Sequence, residues 1–543
     1  MKSLLILLVA ILLAPSVYAA ERPNIILIMM DDLGYSDLGC FGGEISTPHI
    51  DSLSDDGLRL TQLYNSARCC PTRASLLTGL YPHQTGVGFM AADNGKPGYR
   101  GYLNDQCVTT AQLLQKQGYK TYLSGKWHLR GHGDPECIPT NRGFDEFFGP
   151  FRDYASFYRQ DIYYRLPEGR ETLKSDKPFY ATGAITDHAL HFLDEAREEQ
   201  KPSYLYLAYN APHFPLQAPV DLIDKYTDLY EKGWDEIRSA RARRIARLGL
   251  LPDDFILTER GIVPEVHDRN QDSAYFGRQI PAWDSLSFDR RKDLARRMAT
   301  YAAMVEIVDR NIGRLLANLK AHDELERTCI FLLSDNGACA EWDPYGFDNN
   351  PYPTNKLYKG RELRGIGQPG TFHSYGTGWA NACNTPFQSY KHYTYEGGIS
   401  TPMIIHFPQL VEGKGKILHH PRHVMDIAAT ILDLAEVTYP GTWDGKEIHP
   451  IEGRSLVPLM KGSPGESRPL FFEHEGNRGV RDGQWKLVWS NYDPSWRLFD
   501  LETDRTEVHD ISHDHPEKVR ELSEMWHRWA ERCQVEDAKV PQP

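Results

Sequence analysis

Five short apolar runs, each bounded by polar or turn-forming residues, constrain the fold of this chain more than any other feature. They are NIILIMM (24–30), KTYLSGKWH (120–128), YLYLAYNAPH (204–213), CIFLLSDNG (329–337) and TPMIIHFP (401–408). Runs that are apolar at nearly every position are typical of strands buried on both faces of a sheet. Because segments of helical character separate them, we expect an α/β fold with helices on both sides of the sheet.

Five segments are predicted to be helices, and two further regions depart from this alternation. The predicted helices cover residues 48–56, 108–117, 186–198, 290–320 and 423–434. Residues 224–290 are rich in Arg and Asp, and we expect a helical insertion whose charges lie on a solvated outer face. After a main domain over residues 21–463, short alternating strands and one final helix predict a small antiparallel C-terminal subdomain over residues 464–543.

The N-terminus has the pattern of an export signal. Lys2 precedes an apolar run from Leu4 to Leu13, and the small residues Val17 and Ala19 suit a signal-peptidase site. This run is about half of the roughly 20 residues that a membrane-spanning helix needs. We therefore predict a signal peptide over residues 1–20, an exported protein that is periplasmic or secreted, and no membrane span.

Charge and cysteine content exclude some classes of partner. The formal net charge of −13 argues against nucleic acid or an anionic membrane as the main partner, although a small cationic pocket can exist within such a surface. The chain has nine cysteines, an odd number for an exported protein. We therefore expect at least one of them to be free, modified or paired with another molecule.

Two oxygen-rich pairs follow predicted strands directly. Asp31 and Asp32 follow the first run, and Asp335 and Asn336 end the fourth. Adjacent carboxylates repel each other, and a hard divalent cation with oxygen ligands would explain their placement at the end of a strand. Asp-Asp-Leu-Gly and Asp-Asn-Gly are also ordinary turn formers, so the residues alone leave a metal site and two turns as alternatives.

Basic and proton-carrying residues are placed beside the same predicted strands. Lys126 and His128 end the second run, His213 ends the third, and Lys391 precedes the fifth. In open α/β sheets, ligands bind at the carboxyl ends of the strands. Together with a metal and Arg73, these side chains would form a pocket for a dianionic tetrahedral group. The residues alone therefore predict a metal-assisted hydrolase of an anionic ester.

The segment CCPTRASLLTG (69–79) is the most specific motif of the chain. A disulfide between the neighbours Cys69 and Cys70 would strain the peptide between them, so we expect another role for one thiol. The segment fits C-x-P-x-R-x-x-x-L-T-G, the signature of the type I, formylglycine-dependent sulfatases, and GKWHL (125–129) resembles their second signature. Blocks that resemble the bacterial arylsulfatase-like branch extend from about residue 22 to about residue 531: they are GYSDLGCFGGEISTPHIDSL, LYLAYNAPHFPLQAP, MVEIVDRNIGRLL, LLSDNGACAE and NTPFQSYKHYTYEGGISTP.

The resemblance implies an alkaline phosphatase-like fold: a large mixed, mostly parallel sheet between helices, with a smaller antiparallel sheet in a C-terminal subdomain. It also implies that Cys69 is oxidised to Cα-formylglycine (3-oxoalanine) by a separate formylglycine-generating or anaerobic sulfatase-maturating enzyme. In the hydrated aldehyde, one hydroxyl attacks sulfur and releases the alcohol, and the other then loses a proton and expels sulfate. Cys70 occupies a position of the motif that tolerates many residues, and we expect it to be a packed thiol.

Roles for the individual site residues also follow from the resemblance. The implied ligands of one Ca²⁺ ion are Asp31, Asp32, Asp335, Asn336 and the modified Cys69. Arg73 and Lys126 resemble the residues that hold the formylglycine hydroxyl, and His128 resembles the base of sulfate release. His213 and Lys391 resemble the pair that contacts the sulfate and protonates the leaving oxygen.

Three functions are compatible with the sequence. The resemblance favours a sulfatase that hydrolyses aryl sulfates in vitro, with sulfated small molecules or glycans as candidate natural substrates. The first alternative is a phosphonate or phosphate monoester hydrolase of the same superfamily, because its pocket also binds a tetrahedral anion. The second is a non-catalytic protein that binds sulfated glycans and keeps Cys69 as a thiol. Residues 224–290 and 352–378 are candidates for the rim that selects the substrate, and ordinary surface loops are the alternative interpretation of both segments.

Overall fold

The computed structural model describes residues 22–536 with the exception of 132–133, 135, 152–154, 170–171, 174–177, 265–276, 342 and 350–353. The predicted signal peptide over residues 1–20 lies outside the described residues, as do parts of the two candidate rim segments. Among the helices of the described residues, none is both long and apolar enough to cross a membrane.

Within the described residues, ten strands form the central sheet. In chain order they are β1 (Asn24–Met30), β2 (Leu58–Tyr64), β3 (Lys120–Gly125), β4 (Glu146–Gly149), β5 (Tyr164–Leu166), β6 (Ser203–Ala208), β7 (Thr328–Ser334), β8 (Ser400–His406), β9 (Lys416–Leu418) and β10 (Arg422–His423). Across the sheet the order is β10-β2-β8-β7-β1-β6-β3-β4-β5, and β9 also pairs with β2. The five apolar runs of the sequence supply β1, β3, β6, β7 and β8.

Parallel pairing dominates this sheet. The neighbours β7, β1, β6, β3 and β4 are parallel to one another, and β9 and β10 pair parallel with β2. Only β8, against β7 and β2, and β5, against β4, form antiparallel pairs in the described part of the sheet. The predicted large, mixed and mostly parallel sheet is confirmed.

The helices alternate with the strands along the chain. Those of the described residues are α1 (Pro48–Asp56), α2 (Cys69–Thr78), α3 (Thr110–Lys116), α4 (Ala181–Glu198), α5 (Val220–Tyr230), α6 (Trp234–Arg247), α7 (Phe288–Ala321), α8 (Gly376–Cys383), α9 (Glu396–Ile399), α10 (Met425–Leu434), α11 (Val457–Met460) and α12 (Pro516–Arg532). The five helices predicted within the main domain correspond to α1, α3, α4, α7 and α10. The sequence pattern did not reveal α2.

Helices cover both faces of the sheet, as the side chains of β1 demonstrate. Ile26 and Ile28 enter a core cluster with residues of α1, α4, α5 and α7. Ile25 and Leu27 enter a second cluster with residues of α2, α3 and α10. All four side chains are fully buried, which explains why this run is apolar at consecutive positions instead of at every second one.

The charged segment 224–290 is not a solvated insertion throughout. α6 and most of α5 supply its helical part. The prediction that its charges lie on an outer face is wrong for Arg238 and Arg241, which are buried. The physical reason for Arg241 is acidic partners beneath the helix: its guanidinium lies 2.6 Å from Asp37 Oδ1 and 2.7 Å from Glu44 Oε1.

A smaller antiparallel sheet follows near the C-terminus. A short hairpin of β11 (Thr442–Trp443) and β12 (Lys446–Glu447) precedes it. The sheet consists, in order, of β13 (Leu470–His474), β14 (Asn477–Asp482), β15 (Trp485–Ser490) and β16 (Asp493–Asp500). α12 packs on it through Leu522, Trp526 and Trp529, which join Val480 and Leu487 in one apolar cluster. The predicted C-terminal antiparallel sheet is confirmed.

A buried ionic network attaches the smaller sheet to the central sheet. Lys486 of β15 lies 2.8 Å from Glu396 and 2.7 Å from Glu507. Arg505 donates to Glu396 at 2.8 Å and to the carbonyl of Thr61 in β2 at 2.9 Å. Because all four charged side chains are buried, each depends on its partners to compensate for lost hydration.

We expect Glu396→Gln to lower the free energy of unfolding by about 3 kcal/mol, because Lys486 and Arg505 would lose a shared counter-ion in a buried environment. The control is Glu524→Gln at an exposed position of α12. This control should change the free energy of unfolding by less than about 0.5 kcal/mol. Urea denaturation followed by tryptophan fluorescence measures both variants. Equal stability of the two would contradict the attachment role of Glu396.

Candidate active site

Six chain segments meet at one edge of the central sheet. The predicted site residues that follow the parallel strands β1, β3, β6 and β7 are Asp31, Asp32, Lys126, His128, His213, Asp335 and Asn336. Because β8 is antiparallel to β7, its start, which Lys391 precedes, lies at the same edge. β2 is in turn antiparallel to β8, so its end, which leads to Cys69, lies there as well. The fold thus brings every predicted site residue to one edge, and all of them are buried.

Cys69 begins the buried helix α2. Helix N-termini have unpaired backbone N–H groups and the positive end of the helix dipole, which favours an anionic group at this position. The Sγ atom of Cys69 lies 3.3 Å from His128 Nδ1. Burial alone would raise the pKa of the Cys69 thiol, but a hydrogen bond with Cys70 and the charges of Lys126 and His128 hold it well below its usual range.

The neighbouring Cys70 has a different environment. All nine cysteines are buried free thiols. Cys70 is fully buried, and its Sγ atom lies 3.4 Å from Met90 Sδ and 3.8 Å from the carbonyl oxygen of Phe89. These contacts agree with the prediction that Cys70 is a packed thiol.

Arg73 and Lys126 connect the carboxylates that follow β1 and β7. Arg73 donates from Nε and Nη2 to Asp335 Oδ2 at 3.1 and 2.7 Å, and its Nη2 lies 3.7 Å from Asp31 Oδ2. Lys126 Nζ donates to the same Asp31 oxygen at 2.6 Å. Arg73 also donates to the carbonyl of Lys126 at 3.0 Å, so α2 is fixed to the ends of three strands.

Asp32 is the centre of a second set of contacts. Asn336 Nδ2 donates to Asp32 Oδ1 at 2.7 Å, and Lys391 Nζ lies 2.9 Å from the same oxygen. His213 Nε2 lies 3.4 Å from Asp32 Oδ2. Burial favours the neutral acid, but the charges of Lys391 and His213 prevail and hold the pKa of Asp32 well below its usual range. The Asp32 carboxylate is therefore ionised.

The oxygen atoms at this edge fit a hard divalent cation. Asp31 Oδ1 and Asn336 Oδ1 are buried and have no hydrogen-bond partner among the described residues. Burial, followed by the charge of Asp31, raises the pKa of Asp335 to about 7. Unpaired buried oxygens and crowded carboxylates are costly, and Ca²⁺ prefers carboxylate and amide oxygens as ligands. The residues present therefore fit the predicted Ca²⁺ ion, with Asp31, Asp32, Asp335 and Asn336 as its protein ligands.

The histidine side chains have defined orientations. His213 Nδ1 donates to the carbonyl of Phe214 at 2.6 Å, and its Nε2 therefore faces Asp32.

His128 and Asp32 adopt positive φ angles of 55° and 63°. Such backbone conformations cost non-glycine residues about 1–3 kcal/mol and persist where the surrounding structure enforces them. Both strained residues lie in the cluster of predicted site residues.

A buried network supports the loop that follows β1. The hydroxyl of Tyr301, on α7, donates to Asp37 Oδ2 at 2.6 Å and lies 3.3 Å from the carbonyl oxygen of Asp32. The Gly34 N–H donates to the same Asp37 oxygen at 2.8 Å, and Arg241 donates to Asp37 Oδ1 at 2.6 Å. Gly34 and Asp37 lie in the block GYSDLGCFGGEISTPHIDSL, but no motif marks Tyr301 or Arg241, because Arg241 is one of several arginines in a charged helix.

A charged cluster of Arg68, Glu341, His392 and Glu475 lies beside the N-terminus of α2; we call it the rim cluster. Arg68 lies 3.4 Å from Glu475 and 3.9 Å from Glu341. His392 lies 2.7 Å from Glu475 and 3.1 Å from Glu341. Glu475 belongs to the turn between β13 and β14, so the small sheet contributes to the site. Arg68 and His392 each adjoin a predicted site residue, and Glu341 ends the block LLSDNGACAE, but none of the quoted blocks contains Glu475.

Aromatic rings pack next to His213. The ring of Phe214 lies 5.0 Å from that of Phe347 and 5.9 Å from that of Phe372, centroid to centroid. Phe372 belongs to segment 352–378, a candidate for the rim. This contact agrees with that interpretation for the described part of the segment.

The site combines oxygen atoms that fit a cation, a cysteine at a helix N-terminus, and fixed lysine and histidine side chains. This combination is typical of a hydrolase site for tetrahedral anionic esters. The model of the Sulfatase family matches residues 23–437. The model of N-sulphoglucosamine sulphohydrolase, C-terminal, matches residues 388–534. The chain therefore belongs to the sulfatase family. It is a sulfuric ester hydrolase with the alkaline phosphatase-like fold.

Named relatives agree with this assignment. An uncharacterized sulfatase of Schizosaccharomyces pombe is 34% identical, with 93% of each chain covered. An arylsulfatase of Klebsiella aerogenes is 33% identical, with 86% of this chain and 98% of the relative covered. The crystal structure of Ps i-CgsB in complex with k-i-k-neocarrahexaose is 26% identical, with a TM-score of 0.64 and 94% and 93% of the two chains covered.

We expect Tyr301→Phe to impair the site while the protein stays folded. The variant keeps the ring contact with Tyr375, at 4.8 Å between centroids, but removes the hydroxyl shared by Asp37 and the carbonyl of Asp32. The free energy of unfolding should fall by about 1–3 kcal/mol. The kcat/KM for an aryl sulfate should fall by about 10-fold because the loop that carries Asp32 loses a fixed position.

Tyr164→Phe, at an exposed position, is the matched control and should change neither quantity. Urea denaturation and initial rates measure both variants. A Tyr301→Phe enzyme with the rate of the wild type would contradict the positioning role.

Proposed function

We propose that this sulfatase cleaves the S–O bond of sulfate esters with a formylglycine derived from Cys69 and with one Ca²⁺ ion. The position of Cys69 is the main support: it begins a buried helix, lies 3.3 Å from His128, and interacts electrostatically with Asp31, Asp32 and Asp335. The motif around it has the residues of the sulfatase signature. Unmodified, the thiol would be a nucleophile without a hydroxyl to expel the sulfate.

Asp31, Asp32, Asp335 and Asn336 would hold the Ca²⁺ ion. When bound, such an ion lowers the proton affinity of a coordinated hydroxyl and withdraws charge from sulfate oxygens. The two buried oxygens without hydrogen-bond partners in the described residues, Asp31 Oδ1 and Asn336 Oδ1, support this assignment.

Arg73 and Lys126 would bind the oxygen of the modified residue 69. Both side chains are fully buried. Burial favours the neutral amine, but the carboxylate of Asp31 raises the pKa of Lys126 above its usual value, so Lys126 remains charged. Two fixed cations in a buried site stabilise a developing negative charge more strongly than mobile ones in water.

The histidines and Lys391 would move protons and bind the sulfate. The Sγ atom of Cys69 occupies the place of the formylglycine oxygens, and His128 Nδ1, at 3.3 Å from it, is within reach to accept a proton during sulfate release. His213 Nε2 lies 3.4 Å from Asp32 Oδ2, because its Nδ1 is engaged by a backbone carbonyl. We assign to His213 and Lys391 the contact with the sulfate and the protonation of the leaving oxygen.

We also propose how the protein is matured and where it is exported. A formylglycine-generating or anaerobic sulfatase-maturating enzyme would oxidise Cys69 by recognising the motif that contains Pro71 and Arg73. All three residues are buried in α2, so the modification would have to precede the completion of folding. From the signal-peptide pattern we propose a periplasmic or secreted protein. Aryl sulfates would serve as substrates in vitro, and sulfated small molecules or glycans as natural substrates.

The test compares the wild type, Cys69→Ala and Cys70→Ala, each produced with a formylglycine-generating enzyme. We expect the wild type to hydrolyse 4-nitrophenyl sulfate faster than 4-nitrophenyl phosphate. Cys69→Ala should lose about 1,000-fold or more in kcat because the nucleophile is removed. Cys70→Ala is the matched control and should remain within about 3-fold of the wild type, because it removes a packed thiol and one weak hydrogen bond to residue 69 but no group with a proposed role in the reaction.

Each contradicting result points to a different alternative. Activity retained in Cys69→Ala would exclude this residue as the source of the nucleophile. Faster hydrolysis of the phosphate would favour the phosphate or phosphonate monoester hydrolase. A wild type that cleaves neither ester, with formylglycine verified by mass spectrometry, would favour the non-catalytic binding protein.

A further inference from the structure

The rim cluster has no role in the chemistry proposed above, yet it adjoins the catalytic residues. Arg68 directly precedes Cys69, and His392 directly follows Lys391. The backbone N–H of His392 donates to the carbonyl of Ala67 at 2.9 Å, which holds these two segments together. The cluster therefore adjoins residue 69, at which the proposed sulfate ester would be bound.

Glu475 is the most accessible member of the cluster. Its side chain is 30% exposed, compared with 19% for His392, 12% for Arg68 and 7% for Glu341. The carboxylate is held in place from two sides, because Oε2 lies 2.7 Å from His392 Nδ1 and Oε1 lies 3.4 Å from Arg68. An oriented and partly exposed carboxylate is suited to accept hydrogen bonds from a bound molecule.

Opposite charges balance within the cluster. Two carboxylates, Glu341 and Glu475, face the permanent cation Arg68 and His392, whose pKa they raise so that its protonated form balances the second carboxylate. The ligand that fits such a balanced set of donors and acceptors is neutral and offers both donors and acceptors. Hydroxyl groups have this property, since each can donate once and accept twice.

A metal ion is a poorer explanation, although His392, Glu475 and the adjacent His474 have ligand atoms within 4.8 Å of one another. The guanidinium of Arg68 lies against the ring of His392, with Nη1 2.7 Å from Nε2, so a permanent cation is already present. His474 is fully buried, and its Nε2 lies 3.6 Å from Glu475 Oε1. The His474 ring therefore packs on the buried side of the rim cluster, and Glu475 is the member that a ligand from solvent can contact.

We propose that Glu475 is a specificity-determining residue that binds hydroxyl groups of a sugar leaving group, with Arg68 and His392 holding its carboxylate in place. The inference rests on the proposed function, because it concerns the alcohol that the same site releases. A sugar ring supplies adjacent hydroxyls to the donors and acceptors of the rim cluster. A simple aryl group offers none, so these polar groups would gain nothing from its binding.

The test compares wild type and Glu475→Gln, both carrying formylglycine at residue 69, on two classes of substrate. One is 4-nitrophenyl sulfate, and the other is a panel of monosulfated glucose, galactose and N-acetylglucosamine isomers. We expect the wild type to cleave at least one sugar sulfate. Glu475→Gln should lower kcat/KM for that sugar by about 10- to 100-fold and leave the aryl sulfate within about 3-fold.

Glu502→Gln, an exposed glutamate elsewhere in the C-terminal region, is the matched control and should resemble the wild type on both classes. Thermal melting checks that the variants are folded. An equal loss on both classes, or no loss on the sugar, would overturn the proposal. So would a wild type that cleaves the aryl sulfate but none of the sugar sulfates, while the proposed function would stand. Failure on both classes would contradict the proposed function itself and the inference with it.

Discussion

The charge balance at the ends of β1 and β7 is the constraint on which the rest of the site depends. Three buried carboxylates lie in one cluster there, and their repulsion would destabilise the sheet edge without compensation. Arg73 and Lys126 neutralise one side of the cluster and Lys391 the other. Asp31 Oδ1 still has no hydrogen-bond partner among the described residues, and this oxygen supports the proposed Ca²⁺ ion.

The strand order explains why these side chains meet. Parallel strands alone would bring together Asp31, Lys126, His213 and Asp335, but neither Lys391 nor the helix that begins at Cys69. The reversed strand β8 adds both, because it places its own start and the end of β2 at the same edge. The ionic network around Glu396 then fixes the small sheet beside that edge, where its first turn supplies a group to the rim.

Much of this architecture could be predicted from local sequence. Burial on both faces makes β1 continuously apolar, and the motif that begins at Cys69 is specific enough to indicate the chemistry. What could not be predicted depends on distant partners. Arg241 is buried because it pairs with Asp37, which lies 204 residues away in the sequence. A helix with its arginines in solvent can have the same local charge pattern, so the pattern does not reveal the burial. Glu475 has no motif, since its neighbours in the rim cluster come from three other segments.

The most direct test of the central claim is a calcium titration of the chelator-treated, formylglycine-containing protein by isothermal calorimetry, alongside Asp335→Asn and the exposed control Asp284→Asn. We predict one Ca²⁺ ion per chain for the wild type and the control, and much weaker binding for Asp335→Asn. At 100 times the Kd, the ion should stabilise the wild type by about 2.7 kcal/mol. A folded wild type that binds no calcium, or an Asp335→Asn variant that binds it equally well, would contradict the account.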